Sequence, residues 1–165
     1  MQDFIITQKN NLWWGSFPRL TQAGFGNACS CRLHGASAVA EGTLNLALHV
    51  GDEAELVLQN RCWFAQALGL DASKFTTCEQ VHGSKVVVVD EALVGAGATT
   101  LADNIKETDA LVTKLANVPI LLFFADCVPL LFVDEHQGVC AVAHAGWRGT
   151  VAQIGCKTVE TMQQA

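Results

Sequence analysis

An α/β fold is the class this sequence predicts, and three observations predict it. Several short runs, among them residues 120–125 and most of 139–144, are continuously apolar or β-branched, as strands buried on both sheet faces are. Two stretches carry helical periodicity, residues 53–68 and a segment from about Thr150, and supply helices to cover such a sheet. The chain has 165 residues, half of them hydrophobic, enough for one domain with a sizeable core.

Taken in order, residues 29–32 and 43–50 read as strands, the second ending at Gly51. Cys29 and Cys31, one residue apart, read as two strand residues on the same side, since they lack the two-residue gap of a redox or zinc-ribbon motif. Asp52 is the expected N-cap of the first long helix, with Glu55 as its capping-box partner and Gly69 as its C′ residue. Leu56, Val57, Asn60, Trp63, Phe64 and Leu68 trace that helix's inner stripe, while Arg61 and Gln66 face elsewhere. Residues 85–90 read as a strand and the Gly/Ala/Thr-rich stretch 95–105 as a mobile loop. Four more strands are expected at 109–113, 120–125, 130–134 and 139–144, with a hairpin turn around His136. The last helix places Val151, Ile154, Thr158, Val159 and Met162 on one face. The chain stops inside it, so residues 1–165 are expected to be a single domain incomplete at the C-terminus.

Several functional classes are disfavoured by composition. Net charge is −6 and the ten basic residues are scattered singly, so there is no basic stripe for nucleic acid. The apolar stretch 115–133 contains Pro119, Asp126 and Pro129, and a spanning helix would have to bury that carboxylate in lipid. Seven irregularly spaced cysteines and the absence of a signal-like run after Met1 point to reduced thiols and a cytoplasmic protein.

Three side chains carry the chemical interest: His82 before Gly83, Cys127 in Asp126-Cys127-Val128-Pro129, and His144 before Ala145-Gly146-Trp147-Arg148. A thiolate with two imidazoles suits zinc or copper and leaves a fourth position open. Their separations of 45 and 17 positions match no zinc-finger spacing, so only the fold can unite them. His144 ends a strand before a glycine turn and a helix, which places it at a sheet's carboxyl edge. There Arg148 and the helix N-terminus would present donors to an oxyanion. Asp126 interrupts an apolar run, so it is expected to need a partner. Each residue also has a plainer reading: His82 as a surface-turn histidine, Cys127 as an inert core thiol, His144 as a helix cap. His34 and His136 read as loop residues, and His49 as a strand-end residue able to approach the same cavity.

Together, Gln80-Val81-His82-Gly83, Thr108-Asp109-Ala110-Leu111-Val112-Thr113, Ala125-Asp126-Cys127-Val128-Pro129-Leu130 and Ala143-His144-Ala145-Gly146-Trp147-Arg148-Gly149-Thr150 closely resemble the polyphenol oxidoreductase "laccase domain" family. Leu44-Asn45-Leu46, His49-Val50-Gly51-Asp52 and Asn60-Arg61 extend the likeness, which runs from about Arg32 onward. The resemblance implies an α/β sandwich with a mixed sheet, related to the catalytic domain of cytotoxic necrotising factors. It implies a metal on His82, Cys127 and His144, zinc by preference and copper as the alternative, at a catalytic centre of the same three residues. Arg148, Arg32, Asn45 and Asp126 are expected at the substrate or phosphate. The implied activities are phosphorolysis of adenosine, inosine, guanosine and methylthioadenosine, and adenosine deamination, so the partners are purine nucleosides and phosphate. Copper-dependent phenol oxidation is an alternative, although five histidines are too few for a multicopper cluster. A cysteine hydrolase using Cys127 and His144 is another. Two departures from the family pattern stand out: Cys29-Ser30-Cys31-Arg32-Leu33-His34-Gly35 replaces a Thr-Thr-Arg-x-Gly-Gly stretch, and Thr43-Leu44-Asn45-Leu46-Ala47 replaces Ser-Leu-Asn-Leu-Gly.

Overall fold

A computed structural model describes residues 3–38 and 43–165, and contacts divide the chain into two units, Met1–Ala72 and Ser73–Ala165. The first unit holds an antiparallel sheet of β1 (Ile5–Lys9), β2 (Leu12–Ser16) and β3 (Cys29–Ser30), in that order, with a short helix α1 (Pro18–Gln22) and a long helix α2 (Ala54–Leu68). The β1–β2 hairpin turns on Asn10 and Asn11, at φ 51° and 64°. Asparagine tolerates this left-handed backbone better than other residues with a Cβ.

Helix α2 ends as its sequence predicts, with Gly69 at φ 75°. Its start and its inner face differ from expectation. Glu53 occupies the N-cap without a side-chain bond, because Asp52 accepts from Asn45 Nδ2 at 2.9 Å and from Glu53 N at 2.8 Å. Arg61 is buried at 1% exposure and Trp63 is the exposed one. The Arg61 Nε donates to Leu46 O at 2.8 Å, giving a buried partner to a guanidinium that hydrophobic periodicity places outside. Burial pushes that guanidinium down to about 10, still charged at neutral pH.

No strand forms over residues 43–50. The side chains of α2 take the backbone partners that a neighbouring strand would otherwise provide. Asn60 Nδ2 donates to Thr43 O at 3.0 Å and to Asn45 O at 2.9 Å, while its Oδ1 accepts from Ala36 N at 2.7 Å. Asn45 folds the segment back on itself, accepting from Ala47 N at 2.9 Å.

The second unit is built on a mixed sheet of β4 (Val86–Val88), β5 (Ala110–Thr113), β6 (Val128–Asp134) and β7 (Val139–Ala145), in spatial order β4-β5-β7-β6. Strand β4 runs parallel to β5, while β7 runs antiparallel to both β5 and β6. Pro129 is accommodated because β6 lies at the sheet's edge. Asp134 Oδ1 accepts from His136 N at 2.9 Å and Gln137 N at 3.0 Å, closing the expected β6–β7 hairpin.

Alternation along the strands divides the core. Ala110, Val112, Ala141 and Ala143 pack with Ile154 and Met162 of α4 (Ile154–Gln164). Leu111 and Val142 point the other way, into a cluster with Cys78, Val89, Ile105, Leu122 and Phe124. The expected final helix is in fact two, because Gln153 at φ 62° separates α3 (Trp147–Val151) from α4. Val151 accordingly leaves the buried face and is exposed.

Residues 120–125 do not form the expected strand. Ile120 makes a single parallel bridge with Thr76, and Phe123 is held by a side chain, that of Gln80. Residues 95–105 are irregular, as predicted, yet they bury Ala98 and Ile105 and are stapled by Gly97 N donating to Asp103 Oδ1 at 3.1 Å.

Candidate metal centre

The register of the mixed sheet assembles one edge of the second unit. Ala110 pairs with Ala143 and Pro129 with His144, so Asp109 and Cys127 flank the end of β7 from its two neighbours. The parallel β4 brings the turn before it, with His82, to the same edge. This edge is the carboxyl end of β7 and the amino end of β4, β5 and β6. The carboxyl-edge rule for open parallel sheets therefore describes only one of the four strands.

Ligating atoms of His82, Cys127 and His144 all lie within 4.8 Å of one another. His82 is exposed, Cys127 half-buried and His144 buried, so the cluster opens outward on the His82 side. The two imidazoles meet edge to face with centroids 4.8 Å apart, and Phe124 packs 5.5 Å from the His144 ring. Gly146 makes this approach possible. A Cβ there would lie 3.0 Å from His82 Cδ2 and 3.1 Å from Cys127 Sγ, inside the space the cluster occupies. Gly149 plays a similar part, since a Cβ there would come within 2.7 Å of Gly83 O.

The donor set fits a metal on chemical grounds. Around a tetrahedral zinc, bond lengths of about 2.0–2.1 Å to nitrogen and 2.3 Å to sulfur set ligand atoms roughly 3.3–3.7 Å apart. Closing on one ion would draw the three atoms in from separations of up to 4.8 Å. His144 Nδ1 sits 2.9 Å from Asp109 Oδ1, which directs its other nitrogen, Nε2, toward the cluster.

Asp109 is the group that sequence reasoning passed over. It is fully buried, and besides His144 it accepts from Val81 N at 3.2 Å, His82 N at 3.0 Å and Gly83 N at 2.8 Å. The signal was available: a carboxylate heading the apolar run 109–113 must find partners. Asp126, which the sequence marks for the same cost, is exposed and so does not bear it. Burial, with the Asp109 charge adding to it, pushes the Cys78 thiol up to about 12.

Of the remaining residues expected at the site, Arg148 is exposed in α3, with its guanidinium carbon 5.3 Å from the centre of the Trp147 ring. Helix α3 is only five residues long, so its dipole gives an anion less support than the long helix predicted there. Arg32 and Asn45 belong to the Met1–Ala72 unit, as does His49. The Asn45 amide is engaged locally, donating to Asp52 Oδ2 at 2.9 Å and Ala47 O at 3.1 Å. Arg32 is exposed, and its carbonyl accepts from Leu44 N at 3.1 Å.

Comparison with known proteins gives a consistent picture. The family described as multi-copper polyphenol oxidoreductase laccase matches residues 26–165. Purine nucleoside phosphorylase YlmD of Geobacillus stearothermophilus is 42% identical over 112 residues, covering 68% of this chain and 41% of the relative. Adenosine deaminase RL5, from an unknown prokaryotic organism, is 40% identical over 119 residues, covering 72% of this chain and 45% of the relative. The crystal structure of the Geobacillus YlmD superposes with a TM-score of 0.84 at 36% identity, over 91% of this chain and 55% of that one. The chain thus spans about half the length of the relatives it matches. On the extent of the family match and these identities, the chain belongs to the multi-copper polyphenol oxidoreductase laccase family.

Proposed function

We propose that this protein is a metal-dependent enzyme of purine nucleosides, catalysing phosphorolysis of adenosine, inosine, guanosine or methylthioadenosine and deamination of adenosine, with zinc held by His82, Cys127 and His144. The observation that carries the proposal is the convergence of one sulfur and two ring nitrogens from three separate motifs. It is supported by relatives named as a purine nucleoside phosphorylase and an adenosine deaminase.

Zinc at such a site supplies Lewis acidity at neutral pH without redox chemistry. The chain's own residues do the rest. The Cys127 thiolate offsets part of the cation's charge, and His144 is held in one orientation by Asp109. Arg148, exposed beside the cluster's glycine turn, offers phosphate a planar donor fork. Asp126, exposed next to Cys127, would accept from ribose or base donors.

The test is to purify the protein without added metal, measure bound metals, and follow adenosine and inosine turnover with and without phosphate. Stoichiometric zinc, with turnover lost on chelation and restored by zinc, is expected. Metal-free protein with full turnover would overturn the reading.

One observation favours a second reading. Cys127, His144 and Asp109 also form a thiol–imidazole–carboxylate series like that of cysteine hydrolases. Covalent labelling of Cys127 by an electrophilic substrate analogue, in chelator-treated and still active protein, would select that reading.

A further inference from the structure

We propose that Asp109 is a shared positioning residue that sets both histidines of the cluster at once, through the ring of one and the backbone of the other. The inference rests on the metal reading above and adds to it a residue that touches none of the ligating atoms.

Its two oxygens divide the work. Oδ1 lies 2.9 Å from His144 Nδ1 and also accepts from His82 N at 3.0 Å. Oδ2 accepts from Gly83 N at 2.8 Å and Val81 N at 3.2 Å. Three consecutive amides thus converge on one carboxylate, the arrangement of a backbone anion nest.

The turn is costly without that anion. His82 sits at φ 59°, a left-handed conformation that L residues with a Cβ rarely adopt, and such strain persists only where surrounding contacts hold it. The left-handed residue lets the successive N–H groups turn inward, and the same turn carries the His82 ring to the cluster. Gly83 beside it keeps the approach close, since a Cβ there would lie 3.3 Å from Asp109 Oδ2.

The ring contact acts by a different route. A carboxylate accepts and cannot donate, so it selects the His144 tautomer with hydrogen on Nδ1 and leaves the Nε2 lone pair for the metal. Asp109 is itself fixed by sheet register, with its carbonyl accepting from His144 N at 2.7 Å. One rigid strand start therefore determines where two ligands from opposite ends of the unit's sequence point.

Asp109→Asn preserves size and one acceptor but introduces an amide donor facing either His144 Nδ1 or the 81–83 amides. The experiment compares wild type and Asp109→Asn by zinc titration, by the absorption spectrum of the cobalt-substituted protein, and by nitrogen-15 NMR of the metal-free histidines. The expected result is a single Nδ1–H tautomer for His144 in wild type. The variant should lose that tautomer, show a changed cobalt spectrum and bind zinc about 10- to 100-fold more weakly. A folded variant that binds zinc within twofold of wild type would overturn the inference. If the variant does not fold, the wild-type spectrum decides: Nδ1–H supports the role, and Nε2–H overturns it. Wild-type protein that takes up no zinc would instead bring down the metal reading, and the inference with it.

Discussion

Gln80 and Phe123 face each other as paired strand residues do, although one partner is a side chain. Gln80 Nε2 donates to Phe123 O at 2.7 Å, and Phe123 N donates to Gln80 Oε1 at 2.8 Å. The contact ties the turn bearing His82 to the segment leading into Cys127, so one amide couples two of the three candidate ligands. It also explains why the apolar run 120–125 needs no neighbouring strand beyond the bridge at Ile120.

Gln80→Ala should therefore destabilise the protein by about 1–2 kcal/mol, from two lost hydrogen bonds to a partly buried backbone. Urea unfolding of wild type and variant measures this. Zinc affinity should fall as well, whereas a neutral result in both measurements would show that the pairing does not tie the two ligands together.

Gly146→Ala should leave the fold largely intact and disrupt metal binding. The added methyl would meet His82 and Cys127 at 3.0 and 3.1 Å, so one of them has to withdraw. At least a tenfold weaker zinc affinity, with a thermal midpoint of the metal-free form close to wild type, is expected in a competition titration with a chromogenic chelator.

Asn60→Ala should cost about 3 kcal/mol. The amide is fully buried, donates to Ser37 Oγ, Thr43 O and Asn45 O, and accepts from Ala36 N, and alanine leaves all four groups without it. Thermal unfolding followed by circular dichroism tests this, and protease sensitivity of the peptide around residues 43–50 should rise in parallel.

Cysteine reactivity should separate the thiols by burial. Cys62 and Cys156 are exposed and should alkylate rapidly at pH 8, while Cys78 stays unmodified until the protein unfolds. The raised folded value of Cys78, about 12 against 9.0 for a free thiol, also fixes a sign. Below about pH 9 the thiol is neutral in both states and its contribution is fully present. Above it the unfolded chain loses the proton first, so stability declines with rising pH. Replacing Cys78 by alanine should flatten that alkaline decline in urea midpoints taken from pH 8 to 10.

How legible the molecule was depends on which interactions are local. The end of α2 at Gly69, the β6–β7 hairpin and the buried strands around Leu111 and Val142 follow from turn chemistry and apolar runs, which neighbouring residues determine. The β1–β2 hairpin turns on Asn10-Asn11, a weaker signal than the asparagine–glycine pair of the commonest tight hairpin turns. Residues 43–50 and 120–125 misled for a different reason. Their composition is that of strands, but the long-range side chains of Asn60, Arg61 and Gln80 take up their backbone groups. The three side chains His82, Cys127 and His144 were identifiable from their motifs, and the structure brings them together. The apolar run after Asp109 shows that its carboxylate needs partners but not which ones, because His144 and the 81–83 amides are distant along the chain.

The inward-facing amides of Val81, His82 and Gly83 have a consequence for how this turn exchanges with solvent. Val81 and His82 carry exposed side chains, yet their N–H groups end on a carboxylate that water does not reach. Deuterium should enter these positions only when the start of β5 opens, so a stretch that looks like surface would report the slow breathing of the sheet beneath it.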